Sequence, residues 1–129
     1  MSEMRGTFAV TAYTPGQGTA GTEDDWLAYY APFNCKVVGA KWIPNAAVTA
    51  DGTNYFILQV LNGSTVVASR SYSATNSVAL TAENMTLNAT AANLEVDAGE
   101  TLVIHKETTG LGTGLAMPDG LVVLLLQGN

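Results

Sequence analysis

The feature that most constrains this chain is a hydrophobic pattern of period two, interrupted at short intervals by turn residues. Phe8, Val10 and Ala12 alternate with Thr7, Ala9 and Thr11; Val38, Ala40 and Trp42 alternate with Val37, Gly39 and Lys41; Leu102 and Ile104 alternate with Val103 and His105. Every second side chain of an extended strand points the same way, so each run predicts a strand with one buried face and one more polar face. Between the runs lie "TPGQGTAG" at 14–21, Asp51-Gly52, Asn62-Gly63, "DAGE" at 97–100, "GLGTG" at 110–114 and "PDG" at 118–120. Short strands separated by such turns predict an all-β antiparallel sandwich. The clearest hairpin is at Asn62-Gly63, where "NYFILQVL" runs in and "TVVASRSY" runs out.

Two segments fit the pattern less well. "TEDDWLAYYA" at 22–31 carries Thr22 as an N-cap candidate and acids in a first helical turn, yet Trp26, Ala28 and Tyr30 also share a strand face. "APFN" ends it so soon that a strand or an irregular edge is the better expectation. "SVALTAENMTLNATAANLEV" at 77–96 alternates clearly only at Met85 and Leu87, and predicts a loop-rich crossover with one or two short strands. Residues 1–25 combine a strand, a Gly/Thr-rich linker and the acids Glu23, Asp24 and Asp25; they are expected as an N-terminal arm on a single sandwich domain spanning 26–129.

A chain of 129 residues can bury one sizeable core. Apolar residues make up 47% of it and charged residues only 12%, about half the usual share, so its surface is neutral and hydroxyl-rich. The net charge of −6 leaves five cations, Arg5, Lys36, Lys41, Arg70 and Lys106, too scattered to form the basic patch that nucleic acid or an anionic membrane requires. Neither is an expected partner. The first ten residues lack the apolar stretch of a signal peptide, and "LVVLLL" at 121–126 is too short to span a bilayer, so a soluble protein made in the cytosol is expected. Cys35 is the single cysteine, which excludes an intrachain disulfide. Asn-x-Ser/Thr triplets at Asn62, Asn84 and Asn88 arise readily by chance in a chain this rich in Asn and Thr.

Catalytic chemistry is hard to assemble from these residues. Acyl transfer needs a base beside the nucleophile, and the one imidazole, His105, falls on the strand face with Val103 and Glu107, where a surface or interface role is the simpler reading. A Cys35–His105 pair is conceivable across a sheet, but Cys35 sits just before the Val37-Val38 strand, where a buried small hydrophobe is the simpler reading. The acids Asp51, Asp97, Glu100 and Asp119 sit in turns, where capping backbone N–H groups is their ordinary work. Asp51 with Asn54, or Glu23-Asp24-Asp25, supplies part of a cation site without reproducing a known ligand spacing. No catalytic residue, metal ion or cofactor is therefore expected.

Interaction surfaces are better supported. Tyr13, Trp26, Tyr29, Tyr30 and Phe33 crowd near the arm, either to anchor a partner or to close the open end of the core. Six consecutive apolar residues at 121–126 place large side chains on both faces of one strand, leaving Leu121, Val123 and Leu125, or their alternates, in need of a cover. Phe56, Leu58 and Val60 point inward, so Tyr55, Ile57 and Gln59 face out. The candidate interface residues are Phe8, Val10, Tyr13, Trp26, Tyr29, Tyr30, Tyr55, Ile57, Val123 and Leu125.

One family shows the same order of motifs. "YYAPFNCKVVGAKWIPNAAVTADGTNYFILQVLNGSTVVASRSY", followed by "LEVDAGETLVIHKETTGLGTGL", resembles the jelly-roll decoration, or cement, proteins of tailed bacteriophage heads, over about Ala28 to Gly114. The resemblance implies a jelly-roll-like sandwich without catalytic residues. It implies a virion protein on the capsid exterior that self-associates, as a trimer in the first instance or as a dimer, and binds the major capsid protein across subunit junctions to stabilise the mature head. The "AGE-L" pattern also resembles cupins, which hold a metal with several histidines where this chain has one, and carbohydrate-binding sandwiches. The alternative is therefore a carbohydrate- or receptor-binding jelly roll of a phage fibre or tail, with Trp26, Tyr29 or Trp42 as a stacking platform.

Overall fold

The computed structural model describes residues 6–109 and 115–128, so the "GLGTG" turn signal and Arg5 lie outside the described residues. Among the described residues ten strands form: β1 (Thr7–Thr14), β2 (Asp24–Tyr30), β3 (Cys35–Pro44), β4 (Tyr55–Asn62), β5 (Thr65–Ser71), β6 (Glu83–Asn84), β7 (Thr86–Leu87), β8 (Glu95–Val96), β9 (Thr101–Thr109) and β10 (Gly120–Gly128). One turn of 3-10 helix, Ala91–Leu94, precedes β8. All pairings are antiparallel.

The first sheet runs β1-β10-β3, with β6 and β8 sharing the far edge of β3, and the second runs β2-β9-β4-β5-β7. Counting the broken segment β6–β8 as one strand position, the order is 1-8-3-6 in one sheet and 2-7-4-5-6 in the other, since the segment's middle piece β7 crosses to the edge of β5. That is the double Greek key of a jelly roll. The strand expected in the N-terminal arm is present and belongs to the sandwich itself: β1 pairs with β10 along its whole length, from Thr7↔Gln127 to Thr14↔Gly120. The crossover at 77–96 holds three two-residue strands and the 3-10 turn, more structure than the pattern predicted.

The core lies between the sheets. Val37, Ala40, Trp42, Val122, Leu124 and Leu126 meet Phe56, Leu58, Val60, Tyr72, Leu102 and Ile104, all buried. Trp42 reaches β10 closely enough to require glycine there, since a Cβ on Gly120 would stand 2.4 Å from the Ile43 carbonyl oxygen and 2.8 Å from the indole ring. Phe56 stacks on Tyr72 with ring centroids 4.7 Å apart.

Three β-bulges change the phase that simple alternation predicts. Between β10 and β3, Leu125 faces Gly39 but Leu126 faces Val37, so Val37 is buried and Val38 turns outward, opposite to the alternation. Between β2 and β9 the skipped residue is Ala28, so Tyr29 turns inward and Tyr30 leaves the face it was expected to share with Trp26. Between β4 and β5 the skipped residue is Val67. The hairpin is also one residue further along than the sequence suggests. Asn62 pairs with Thr65, and Gly63, at φ +61°, takes the first central position as a II′ turn requires.

A polar chain runs through one side of the core. The Trp42 Nε1–H donates to Tyr72 Oη at 2.9 Å, and Tyr72 Oη lies 2.6 Å from Ser77 Oγ, which donates to Glu83 Oε1 at 2.8 Å. Because the Ser77 proton is committed to Glu83, Tyr72 donates to Ser77. Arg70 closes the chain: its Nε donates to Glu83 Oε1 at 3.0 Å, its other nitrogens reach carbonyls of Ser71, Thr75 and Asn76, and its guanidinium lies 3.9 Å from the Tyr72 ring centroid. Every member is satisfied, which makes burial of these groups tolerable. Burial pushes the Tyr72 phenol up despite its hydrogen bonds with Ser77 and Trp42.

Lys106 is the other interior cation. In phase with Leu102 and Ile104, it is fully buried and donates from Nζ to the Thr19 carbonyl at 3.0 Å and more weakly to that of Gln17. It thereby ties the 14–21 segment onto the sandwich. Desolvation pushes its pKa down, opposed by Asp24.

Two outcomes follow from these interior charges. Glu83→Ala leaves Arg70 without its counter-charge and is expected to destabilise the fold by roughly 2–4 kcal/mol, read by urea denaturation. For Lys106, folding penalises the charged form in full below the depressed folded pKa and less as pH rises from there toward the free value. Wild type should therefore gain stability relative to Lys106→Met as pH rises from neutrality toward the free lysine value of 10.5, measured by the same method.

Candidate interaction surfaces

The outer face of the first sheet is built on β10. With Val122, Leu124 and Leu126 inside, Leu121, Val123 and Leu125 must point out, and the register sets them in rows: Tyr13–Leu121–Ile43, Thr11–Val123–Lys41 and Ala9–Leu125–Gly39. Gly39 lets Leu125 lie flat on β3, since a Cβ there would stand 3.0 Å from Leu125 Cδ1. Val38, turned out by its bulge, extends the patch. Lys41 is the one charged residue in these rows, and its Nζ is taken by Asn84 Oδ1 at 2.8 Å.

At the Leu121 end lies a shallow depression of about 200 Å³ lined by Tyr13, Ile43, Asn45, Leu80, Asp119 and Leu121. Asp119 is pinned by the Tyr13 hydroxyl at 3.1 Å and by Asn45 Nδ2 at 3.2 Å, and the hydrogen bond to this carboxylate raises the Tyr13 pKa. Tyr13 and Leu80 are 60% and 73% exposed, which leaves the depression with an apolar rim. Leu80 also has φ +61°, a conformation that costs a residue with a Cβ on the order of 1 kcal/mol.

The ten residues expected at an interface divide into three groups. Tyr13, Val123 and Leu125 come together on this face. Tyr30 and Ile57 lie on the second sheet, Tyr30 62% exposed and Ile57 half-buried. Phe8, Val10, Trp26, Tyr29 and Tyr55 pack against the core, half-buried. Phe8 packs against Phe33 with centroids 5.7 Å apart and the rings tilted by 57°, both against the core. Trp42 is wholly buried, so it offers no stacking platform.

The outer face of the second sheet carries the histidine. Asp25 pairs with His105 in the β2–β9 register, and their side chains meet with Oδ1 2.6 Å from Nδ1. On the other side of the ring, Nε2 lies 2.9 Å from Glu107 Oε2 and 4.0 Å from Glu23 Oε1. Burial of the ring opposes its charge, but hydrogen bonds to Glu107 and Asp25 and their negative charge win, so the His105 pKa is raised. Sequence reasoning placed His105 on this face but left Glu23-Asp24-Asp25 separate from it. The available signal was a shared i, i+2 spacing, Glu23/Asp25 and His105/Glu107, which puts two acids and an imidazole-acid pair on strand faces that need only be neighbours.

The other candidates resolve structurally. Asp51 Oδ1 accepts the backbone N–H groups of Thr53 and Asn54, both at 2.9 Å, and these bonds lower its pKa. Glu100 likewise accepts the Asp97 N–H at 2.7 Å, with Asn62 adding a further donor, and its pKa is lowered. Cys35 is buried in the first sheet while His105 faces outward on the second, so the two cannot pair. Burial pushes the Cys35 thiol up, with a hydrogen bond to Tyr29 opposing.

No protein-family model matches the chain, and no curated protein does. Among solved structures, a chain of "Structure of infectious bursal disease virus Gx strain" aligns with 94% of this chain at 13% identity and a TM-score of 0.41. This chain spans 32% of that one. A likeness at this level carries no functional argument. The all-β antiparallel sandwich rests on the strands themselves, and among the described residues no helix is long and apolar enough to cross a membrane.

A buried thiol with a raised pKa is a poor nucleophile. Native protein should react with a thiol reagent orders of magnitude more slowly than unfolded protein, which should take up one label per chain; fast native labelling would place Cys35 elsewhere.

Proposed function

We propose that this chain is a non-enzymatic structural protein of the virion, a decoration or cement protein of a tailed-bacteriophage head. On this reading it self-associates and docks on the major capsid protein at the capsid exterior, with the trimer as the expected assembly. The observation that carries the reading is the outer face of β10, where Leu121, Val123 and Leu125 stand in a central strand without a covering layer among the described residues. Face-to-face burial of such rows against another subunit contributes about 25 cal/mol per Å² of apolar surface, enough to drive association when the patch is flat and nearly uncharged. The motif order from Ala28 to Gly114 supports the same reading.

Carbohydrate or receptor binding has less support, because Trp42 is inside and Trp26 and Tyr29 are half-buried. Deleting the N-terminal segment is a poor test of the interface, since β1 supplies one hydrogen-bonded edge of β10. Surface charge is a cleaner one. Val123→Glu and Leu125→Glu should leave the far-UV circular dichroism unchanged, shift the native mass toward the monomer, and weaken co-sedimentation with mature heads assembled without the protein by tenfold or more. A wild-type chain that is monomeric and fails to sediment with heads would overturn the proposal.

A further inference from the structure

We propose that Glu23, His105 and Glu107 form a binding site for a divalent transition-metal ion of the zinc type, oriented by Asp25 and open to water on its outer side. One ligand atom from each of the three lies within 4.8 Å of the others. The Nε2 atom of His105 is 2.9 Å from Glu107 Oε2 and 4.0 Å from Glu23 Oε1. A tetrahedral ion with bonds of about 2.0–2.2 Å holds its ligands roughly 3.3–3.5 Å apart, so the observed separations bracket what an ion would set.

The surroundings of each ligand favour the same use. Asp25 Oδ1 engages Nδ1 at 2.6 Å, which holds the proton on that nitrogen and aims Nε2 at the two glutamates, the carboxylate–histidine arrangement that orients metal-bound imidazoles. Glu23 is held by its other oxygen, Oε2, which accepts the Thr108 backbone N–H at 3.1 Å and the Thr108 hydroxyl at 3.4 Å, and Oε1 is left facing the imidazole. The imidazole is 14% exposed whereas Glu23 and Glu107 are 45% and 42% exposed, so a sheltered nitrogen donor is flanked by two carboxylates with room for water. Three carboxylates surround one imidazole, and among the described residues no lysine or arginine pairs with any of them. An ion would take the place of the proton between Nε2 and Glu107.

Mixed imidazole and carboxylate ligands suit zinc better than calcium or magnesium, which prefer oxygen alone. A bound ion would clip the segment entering β2 to β9, joining residues more than eighty positions apart. This site is on the sheet opposite to the proposed docking face and does not depend on that reading.

The test uses tag-free, chelator-treated full-length protein titrated with zinc chloride by isothermal calorimetry, alongside thermal unfolding. One ion per chain and a raised melting temperature are expected. Because His105 is the only histidine, His105→Gln should abolish saturable binding, Glu23→Gln should weaken it tenfold or more, and Asp25→Asn should weaken it about 10–100-fold. Cys35→Ser and Glu95→Gln should bind as wild type does. Circular dichroism establishes that each variant folds, and the ¹⁵N shift of Nε2 in the wild type reports coordination without any substitution. Absence of saturable binding by wild type, an unmoved Nε2 shift, or equal binding by folded His105→Gln would overturn the site.

Discussion

The structure depends on one strand that is apolar on both faces and hydrogen-bonded on both edges. β10 lies between β1 and β3, so its backbone groups are consumed by neighbours along its length. Its inner residues, Val122, Leu124 and Leu126, are fully buried and set the depth at which Trp42 and the second sheet pack. Its outer residues cannot be hidden by the same sandwich, because successive side chains of a strand point to opposite sides. The strand that makes the core thus also makes an apolar exterior.

Around that hydrophobic layer, polar groups hold the ends in place. The chain from Trp42 through Tyr72 and Ser77 to Glu83 and Arg70 joins β3, β5 and β6, and so spans the two sheets at one side of the core. Lys106 does similar work for the 14–21 segment through the Thr19 and Gln17 carbonyls. These groups are costly to bury singly and acceptable in company, because each donor meets an acceptor inside a low-dielectric space. The irregular segments join the sandwich through such bonds together with a few buried apolar side chains, Val48, Met85 and Met117.

The two outer faces differ in chemistry for the same geometric reason. On the first sheet, register aligns Leu121, Val123 and Leu125 with Tyr13 and Ile43, Thr11 and Lys41, and Ala9 and Gly39, one charged residue among six partners. On the second, it aligns Asp25 with His105 and brings Glu23 and Glu107 to the same ring. The first face is apolar and nearly uncharged, while the second gathers three carboxylates around one imidazole.

The amino-acid sequence by itself determined the fold class, the positions of the long strands, the turn role of Asp51 and the excess of apolar side chains on β10. Local rules suffice there: alternation, turn chemistry and a run too apolar for one face. Only the tertiary structure decided which of Val37 and Val38 is buried, that Tyr29 turns in while Tyr30 turns out, that Lys106 is inside, and that Glu23, Asp25, His105 and Glu107 share a site. The first two depend on bulges, each inserting one unpaired residue and reversing the phase beyond it. The last depends on strand order and register, which are set by the packing of the whole sandwich: the i, i+2 spacings of Glu23/Asp25 and His105/Glu107 put each pair on one face but do not say that the two segments are neighbours.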